Sequence, residues 1–392
     1  MAETLIVAAV AALVTFVACR FVIWLSVRFR LAPELRDRDV HAAPTPRLGG
    51  IAMFLGLLAA FFVASTQSGL APAFTNGAQI WAILGACTLI VAVGVLDDIL
   101  DLDWMVKLAA QLLAAGLLAW QGVQIVSLPF GDSLIVGSPV VNFVLTVFVI
   151  TLVMNAMNFI DGLDGLVAGV ALIANVVFFG YTLILSSQTG PLNQVSLASL
   201  IAAVVIGLCA GFLPWNWHRA KLFMGDTGSM LIGLLMATST ISVTGQLSPG
   251  TLDQKMVIAS YIPIILPIAV LVVPLADFTL AVIRRVRAGK SPFSADRKHL
   301  HHRLLDMGHS HIQAVMIFYL WTATISVGCL LIFLLDSFQL PVLIISVGAL
   351  LCVVVTVVPL APIRAKRRAQ LEEQPAPAPE EAVSLPDSEQ RG

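Results

Sequence analysis

Charged residues are scarce in this chain. They make up 11% of its 392 residues, whereas 58% of the residues are hydrophobic. A soluble domain carries roughly 25% charged residues, so this sequence has too few to cover a surface that faces water. The mean hydropathy of +0.94 agrees with that conclusion. The composition therefore excludes a soluble globular protein and indicates that lipid is the main solvent of the chain.

Paired cysteines are lacking as well. The five cysteines lie singly inside apolar runs, and no two of them form a Cys-x-x-Cys pair. Cysteines in such positions usually pack as small apolar side chains. This pattern argues against a disulfide framework and against a zinc site.

Long apolar runs are abundant. A helix needs roughly 20 apolar residues to cross about 30 Å of hydrocarbon, and by that measure we predict an all-α polytopic integral membrane protein with about eleven transmembrane helices. The predicted runs are 4–26, 49–66, 79–96, 105–122, 140–157, 165–185, 196–214, 228–244, 256–283, 314–335 and 340–361.

Lysine and arginine are distributed unequally between the two sets of loops. Of the 22 basic residues, 20 fall in one set of alternating loops and in the C-terminal tail. The positive-inside rule then predicts an N-terminus outside and a cytoplasmic C-terminus. Residues 1–363 form one predicted transmembrane catalytic domain, and the Pro- and Glu-rich segment 364–392 a disordered tail. Segment 123–139, on the outside, predicts a small β-hairpin.

An acidic cluster, Asp97, Asp98, Asp101 and Asp103, lies at the inner end of the third run, and Lys107 follows it. Ionisable groups at the edge of a span are costly and usually functional. Adjacent carboxylates point about 100° apart on a helix, so one can hold a metal while the other faces a substrate. The alternatives are a hydrated acidic loop at a helix end and, for Lys107, an anchor at the lipid interface.

Two further polar clusters fall at the same face. Asn155, Asn158, Asp161 and Asp164 recur at every third residue and so lie near one stripe of a helix. Asp226 stands at the start of the eighth run, where it suits either an N-cap or a metal ligand. Carboxylate and amide oxygens are the ligands that Mg²⁺ prefers.

The fourth cluster is the basic segment 284–311, which contains five of the seven histidines. They are His299, His301, His302, His309 and His311. Its basic excess suits a diphosphate, a nucleotide or an anionic lipid better than zinc, and the alternative is a positive-inside loop with incidental histidines. Together the clusters predict a membrane enzyme that moves a phosphoryl-linked group between a soluble nucleotide and a lipid.

Five ordered segments resemble the polyprenyl-phosphate N-acetylhexosamine-1-phosphate transferases of glycosyltransferase family 4. They are residues 41–56, 94–111, 155–169, 221–233 and 274–308. The resemblance implies transfer of a sugar 1-phosphate from a UDP-sugar to undecaprenyl or decaprenyl phosphate, with release of UMP. It also implies Mg²⁺, for which Mn²⁺ can substitute, a site on the cytoplasmic face of a bacterial inner membrane, a homodimer and no nucleic-acid partner.

The resemblance also assigns residue roles. Metal-binding positions are Asn158, Asp98 and Asp226, and catalytic positions are Asp97, Asp98 and Asp226, with Asp97 as a base or an orienting group for the lipid phosphate. Substrate-binding positions are Lys107 at the diphosphate, Asp161 and Asp164 near the nucleotide, and His299, His301, His302 and Arg303 in a loop that closes over the sugar.

Leu300 interrupts the histidine run, and Arg303 follows it. This sequence resembles that of the WecA-like and TagO-like branch, which uses UDP-N-acetylglucosamine, more than that of the enzymes that use UDP-MurNAc-pentapeptide. That donor and UDP-GalNAc are the alternatives. A secondary transporter is a remote one, because transport sites lie near the bilayer midplane and often in paired repeats.

Overall fold

The structure is a computed structural model. It describes residues 1–29, 45–130, 133–189, 193–244, 304–305, 307–335 and 339–357, together with residues 283, 286, 287 and 289. Several predictions fall outside these residues: all but the last residue of the run 256–283, the tail 364–392, and His299, His301, His302 and Arg303.

Ten α-helices make up most of the described part of the chain. They are α1 (Ala2–Phe29), α2 (Gly49–Ser65), α3 (Gly77–Leu100), α4 (Trp104–Trp120), α5 (Pro139–Phe159), α6 (Leu166–Thr189), α7 (Asn193–Asn216), α8 (Gly225–Thr244), α9 (His311–Leu334) and α10 (Gln339–Val357). A short 3₁₀ helix, Ser68–Phe74, follows α2.

Eight of these helices are long and apolar enough to cross a membrane, which supports a multi-pass membrane protein. The helix α2 and the 3₁₀ helix after it form a pair bent by 111°, and α4 is a shorter apolar helix. Every predicted run except 256–283 coincides with one of the described helices. The total of eleven spans and the orientation of the termini stay predictions.

The hairpin predicted within 123–139 is confirmed. Strand β1 (Ser127–Phe130) pairs antiparallel with β2 (Ser133–Val136), with Ser127 opposite Val136. It connects the end of α4 to the start of α5, where the N-cap Ser138 accepts a hydrogen bond from the backbone of Val141.

The helix α8 lies at the centre of the bundle. Every residue from Thr227 to Thr244 is buried, and the helix packs against α2, α3, α5 and α7. Because it does not face lipid, it tolerates glycine, serine and threonine, whose small side chains let neighbouring helices approach. The hydroxyls of Thr238 and Ser242 donate to carbonyls one turn earlier. A polar helix in an apolar bundle is therefore explained by its position.

Short connections make successive helices run in alternate directions. The ends of α3, α5 and α7 and the starts of α4, α6 and α8 consequently meet at one end of the bundle, which we call the polar end. Segments that are more than a hundred residues apart in sequence thus converge at one place.

The close approach of α3 to α8 generates the first prediction. A β-carbon on Gly94 would lie 2.5 Å from the Cα of Thr227, whereas one on Gly85 of the same helix would lie 3.5 Å from a Leu117 methyl group. Gly94→Ala should therefore destabilise the protein by about 1–3 kcal/mol through overpacking. Gly85→Ala should cost far less. Thermal unfolding of the two detergent-solubilised variants measures the difference, and equal losses would contradict the packing argument.

Candidate active site

The first turn of α8 is capped by a carboxylate from another helix. Asp98, near the end of α3, accepts hydrogen bonds from the backbone N–H groups of Asp226 (3.0 Å) and Thr227 (3.3 Å). It also accepts the Thr227 hydroxyl at 2.6 Å. The first N–H groups of a helix have no partner within the helix, and a negative charge there is favourable. The group that caps α8 is therefore Asp98. Asp226, for which the sequence left an N-cap function open, lies within the first turn of the helix.

A lysine joins two further carboxylates beside this cap. The Lys107 ammonium group, in the first turn of α4, lies 3.1 Å from Asp97 Oδ2 and 3.0 Å from Asp226 Oδ2. The other oxygen of Asp97 accepts the backbone N–H of Leu102 at 2.9 Å. Asp97 is buried, with both oxygens engaged, whereas the Asp226 side chain retains 29% of its exposure. Asp226 is thus the more accessible of the two carboxylates.

Asn158 reaches the same place from the end of α5. Its amide nitrogen donates to Ser229 Oγ at 3.0 Å, and its side chain is within hydrogen-bonding reach of the Asp226 carboxylate. One turn earlier, Asn155 donates to Gln111 of α4 at 2.6 Å. Amide pairs of this kind fix the spacing of neighbouring helices inside a membrane.

The segment before α8 is held by Pro46, which precedes α2, and by the first residues of α2. Phe223 N–H donates to the carbonyl of Pro46 at 2.8 Å, and the Gly49 and Gly50 N–H groups donate to the carbonyls of Phe223 and Met224 at 3.0 and 3.1 Å. These backbone hydrogen bonds position the turn at Gly225, which has a φ of +70°. Two of the segments that carry the family resemblance therefore build one turn.

The remaining two aspartates of the acidic cluster perform local helix-end functions. Asp103 is the N-cap of α4 and accepts the Met105 N–H at 2.8 Å. Asp101 ends α3 in the left-handed conformation, with a φ of +55°, and its N–H donates to the Asp97 carbonyl. The alternative interpretation of the cluster, an acidic loop at a helix end, therefore fits Asp101 and Asp103.

Asp161 lies in the turn between α5 and α6 and is half-buried. Burial first, and then the nearby charges of Asp226 and Asp98, together raise the pKa of its carboxyl group to about 8, against the opposing effect of Arg47. The structure thus places Asp161 in the electrostatic environment of the Asp226 site.

Asp164 takes part in a separate cluster with two histidines. Its Oδ2 lies 3.0 Å from His218 Nδ1 and accepts the Ala220 N–H at 3.2 Å. His311, the first residue of α9, accepts the backbone N–H of Asp164 at 3.0 Å through Nε2. The two imidazole rings stack with their centroids 4.6 Å apart.

The three side chains of this second cluster offer ligand atoms within 4.8 Å of one another, as a metal site would. However, the lone pair of His311 Nε2 is already directed at the Asp164 N–H. Hydrogen bonding therefore accounts for the arrangement. These contacts hold the α5–α6 turn against the N-terminal half of α9. The Tyr319 hydroxyl of that helix also donates to the carbonyl of Gly165.

Sequence reasoning missed Thr227, Ser229 and His218 and gave His311 no role of its own. A signal existed for the first two, since both are polar residues within three positions of Asp226 at the start of an apolar run. His218 precedes the same motif by a few residues. Its contact with Asp164 joins positions 54 residues apart, which no local pattern predicts.

The arrangement suits a cation and a phosphate together. Asp226 carries carboxylate oxygens and Asn158 an amide oxygen, and both are hard ligands of the kind that Mg²⁺ prefers. The positive end of the α8 dipole favours anions at the same point. The fold and the site thus define a multi-pass membrane protein with an acidic, lysine-containing site at one end of its bundle.

Comparison with known proteins identifies the family. The sequence profile described as glycosyl transferase family 4 matches residues 80–244. The chain is 39% identical over 361 residues to a decaprenyl-phosphate N-acetylglucosaminephosphotransferase of Mycolicibacterium smegmatis, covering 91% of this chain and 89% of the relative. It is 33% identical over 300 residues to a probable undecaprenyl-phosphate N-acetylglucosaminyl 1-phosphate transferase of Bacillus subtilis, covering 76% and 75%. The chain belongs to glycosyl transferase family 4.

The capping role of Asp98 yields a prediction. Asp98→Asn removes the negative charge and one acceptor oxygen that face the buried start of α8. This substitution should lower the free energy of unfolding by about 1–3 kcal/mol. Asp103→Asn is the matched control, because asparagine caps an exposed helix start nearly as well as aspartate. Thermal unfolding of both variants in detergent measures the two costs, and a larger loss for Asp103→Asn would contradict the assignment.

The raised pKa of Asp161 gives a pH-dependent prediction. Its folded-state pKa of about 8 exceeds the ordinary value of 3.8, so the unfolded chain holds fewer protons between these values and stability falls as pH rises through them. Asp161→Asn removes that penalty. In chelator, its melting temperature should exceed that of the unsubstituted protein by a margin that grows between about pH 5 and pH 8 and then levels off. A margin that shrinks with rising pH would refute the assignment.

Proposed function

We propose that this protein transfers N-acetylglucosamine 1-phosphate from UDP-N-acetylglucosamine to a polyprenyl phosphate, giving polyprenyl-diphospho-N-acetylglucosamine and UMP. The observation that carries the proposal is the junction of Asp97, Lys107 and Asp226 at the capped start of a buried helix. The names of the mycobacterial and Bacillus relatives support the choice of sugar and acceptor.

The proposed reaction is a phosphoryl transfer. An oxygen of the polyprenyl phosphate forms a bond to the β-phosphorus of the UDP-sugar, and the bond from that phosphorus to the bridging oxygen breaks. The bridging oxygen leaves with UMP and carries the negative charge. Such reactions depend on the alignment of the two phosphates and on neutralisation of charge, which cationic side chains and metal ions supply.

Asp226 and Asn158 are the proposed ligands of a divalent cation, with Asp98 behind them as a cap that also contributes negative charge. Mg²⁺ suits this donor set, because it prefers a few carboxylate or amide oxygens together with substrate phosphates. Mn²⁺ has similar preferences and is the proposed substitute. When bound, such an ion neutralises charge on the diphosphate.

Asp97 acts in this proposal by holding Lys107. Its two oxygens already accept the Leu102 N–H and the Lys107 ammonium group. A phosphate monoester has a second pKa near 6, so an acceptor phosphate is mostly ionised at neutral pH. The nucleophile therefore has little need of a base, and positioning of the Lys107 cation against the diphosphate is the more useful contribution.

The nucleotide is proposed to bind near the α5–α6 turn, on the side of Asp161 and Asp164. The segment from His299 to Arg303 is proposed to close over the sugar and diphosphate. Its sequence ends eight residues before His311, which fastens the α5–α6 turn to α9. This connection would link the segment over the sugar and diphosphate to the proposed nucleotide side of the site.

We propose that the polar end faces the cytoplasm of a bacterial inner membrane, with the N-terminus outside. The concentration of basic residues in the loops on that side supports this orientation. The relatives named above are bacterial. UDP-sugars are cytoplasmic metabolites, so the donor would approach the site from water and the acceptor from the bilayer.

The proposal predicts UMP release from a panel of donors. Purified full-length protein with Mg²⁺ and decaprenyl or undecaprenyl phosphate should release UMP from UDP-N-acetylglucosamine. UDP-GalNAc and UDP-MurNAc-pentapeptide should be poor donors. Asp226→Asn should reduce turnover by about a hundredfold or more, since it weakens electrostatic stabilisation of the transferred group.

Each result of this assay has a definite meaning. A preference for another UDP-sugar would retain the chemistry and change the substrate. Absence of UMP with every donor, or equal release by Asp226→Asn, would refute the proposal. Uptake of a solute into vesicles without UMP formation would instead revive the transporter alternative.

A further inference from the structure

The Lys107 ammonium group occupies a position between two carboxylates that come from different helices. Asp97 belongs to α3 and Asp226 to α8, and their nearest oxygens lie 3.1 and 3.0 Å from Nζ. The lysine side chain keeps 26% of its exposure, so this ion pair is only partly hydrated. Lys107 therefore neutralises Asp226, the carboxylate that the proposed function assigns to the divalent cation.

Two cations cannot both approach Asp226 closely without repelling each other. Mg²⁺ binds carboxylate oxygens at about 2.0–2.1 Å, so an ion on Asp226 would lie within a few ångströms of an ammonium group still bonded to that side chain. Repulsion at such distances is strong where water is partly excluded. Binding of one cation must weaken binding of the other.

We propose that Lys107 is an internal counter-ion that stands in for the divalent cation on Asp226 and leaves that carboxylate when the cation binds. This inference rests on the proposed function, because it takes Asp226 as a metal ligand. The ammonium group of lysine is a compact charge on a flexible chain, which permits such an exchange.

Asp97 determines where the released ammonium group goes. Because Asp97 stays bonded to Lys107 and is itself fixed by the Leu102 N–H, the lysine pivots about Asp97. The released ammonium group would then be available to contact the substrate diphosphate. The same lysine would thus protect the empty carboxylate and then clamp the substrate.

The experiment measures Mn²⁺ binding by electron paramagnetic resonance to substrate-free, full-length protein in detergent. Lys107→Met removes the competing charge and should bind Mn²⁺ about tenfold more tightly, within the ~5–150-fold range of couplings between neighbouring sites. Lys107→Arg keeps the charge and should bind with nearly the unsubstituted affinity. Lys221→Met, which removes an exposed charge shortly before Asp226 in sequence, should change affinity little.

A second measurement needs no substitution and so is unaffected if Lys107→Met fails to fold. Acetylation of Lys107 by acetic anhydride, followed by mass spectrometry, should increase when Mg²⁺ is added, because the ammonium group loses one carboxylate partner. Acetylation of Lys221 in the same sample is the internal control and should stay constant.

The outcomes distinguish failure of the proposed exchange from failure of the proposed metal site. Equal or weaker Mn²⁺ binding by Lys107→Met, together with loss of binding in Asp226→Asn, would overturn the exchange and leave the metal site intact. Unchanged Mn²⁺ binding in Asp226→Asn would refute the metal site itself. An acetylation yield at Lys107 that is unaffected by Mg²⁺ would likewise overturn the exchange.

Discussion

The site depends on how the first turn of a buried helix is satisfied. The start of α8 lies among α2, α3 and α5, where an unpartnered N–H group is costly because little water is available. Asp98 of α3 meets that need by accepting two backbone N–H groups, and it accepts the Thr227 hydroxyl as well. The same contact brings the end of α3 to Asp226 and directs the positive end of the α8 dipole into the polar end of the bundle.

This solution concentrates negative charge. Asp97, Asp98, Asp161 and Asp226 approach one another from three segments of the chain, and Lys107 is the cation that bridges two of them. Like charges so close, with little water between them, raise the free energy of the folded state. The acidic centre therefore attracts cations, and any cation held there in turn attracts phosphates. The crowding of negative charge thus both destabilises the folded state and suits the centre to the proposed phosphoryl chemistry.

Sequence patterns predicted the apolar helices and the hairpin because both depend on local periodicity and turn residues. They also selected Asp97, Asp98, Asn158 and Asp226, since a polar group at the end of an apolar run is conspicuous. They did not distinguish the helix-end function of Asp103 from the cap that Asp98 supplies to a distant helix. That distinction depends on tertiary contacts, as does the contact of Asp164 with His218, and neither leaves a local pattern.

The position of the site at one end of the bundle limits what it can do. A pathway through the membrane needs polar groups near the midplane, whereas the acidic centre here lies where α3 ends and α8 begins. In the proposed orientation, a water-soluble diphosphate would reach Asp226 from the cytoplasm while the prenyl chain stays in the hydrocarbon. In the proposed function, the costly burial of Asp97 has a use, because Asp97 fixes Lys107 at the boundary where the two phosphates would meet. A reaction between partners of opposite solubility is the chemistry that such a boundary site serves.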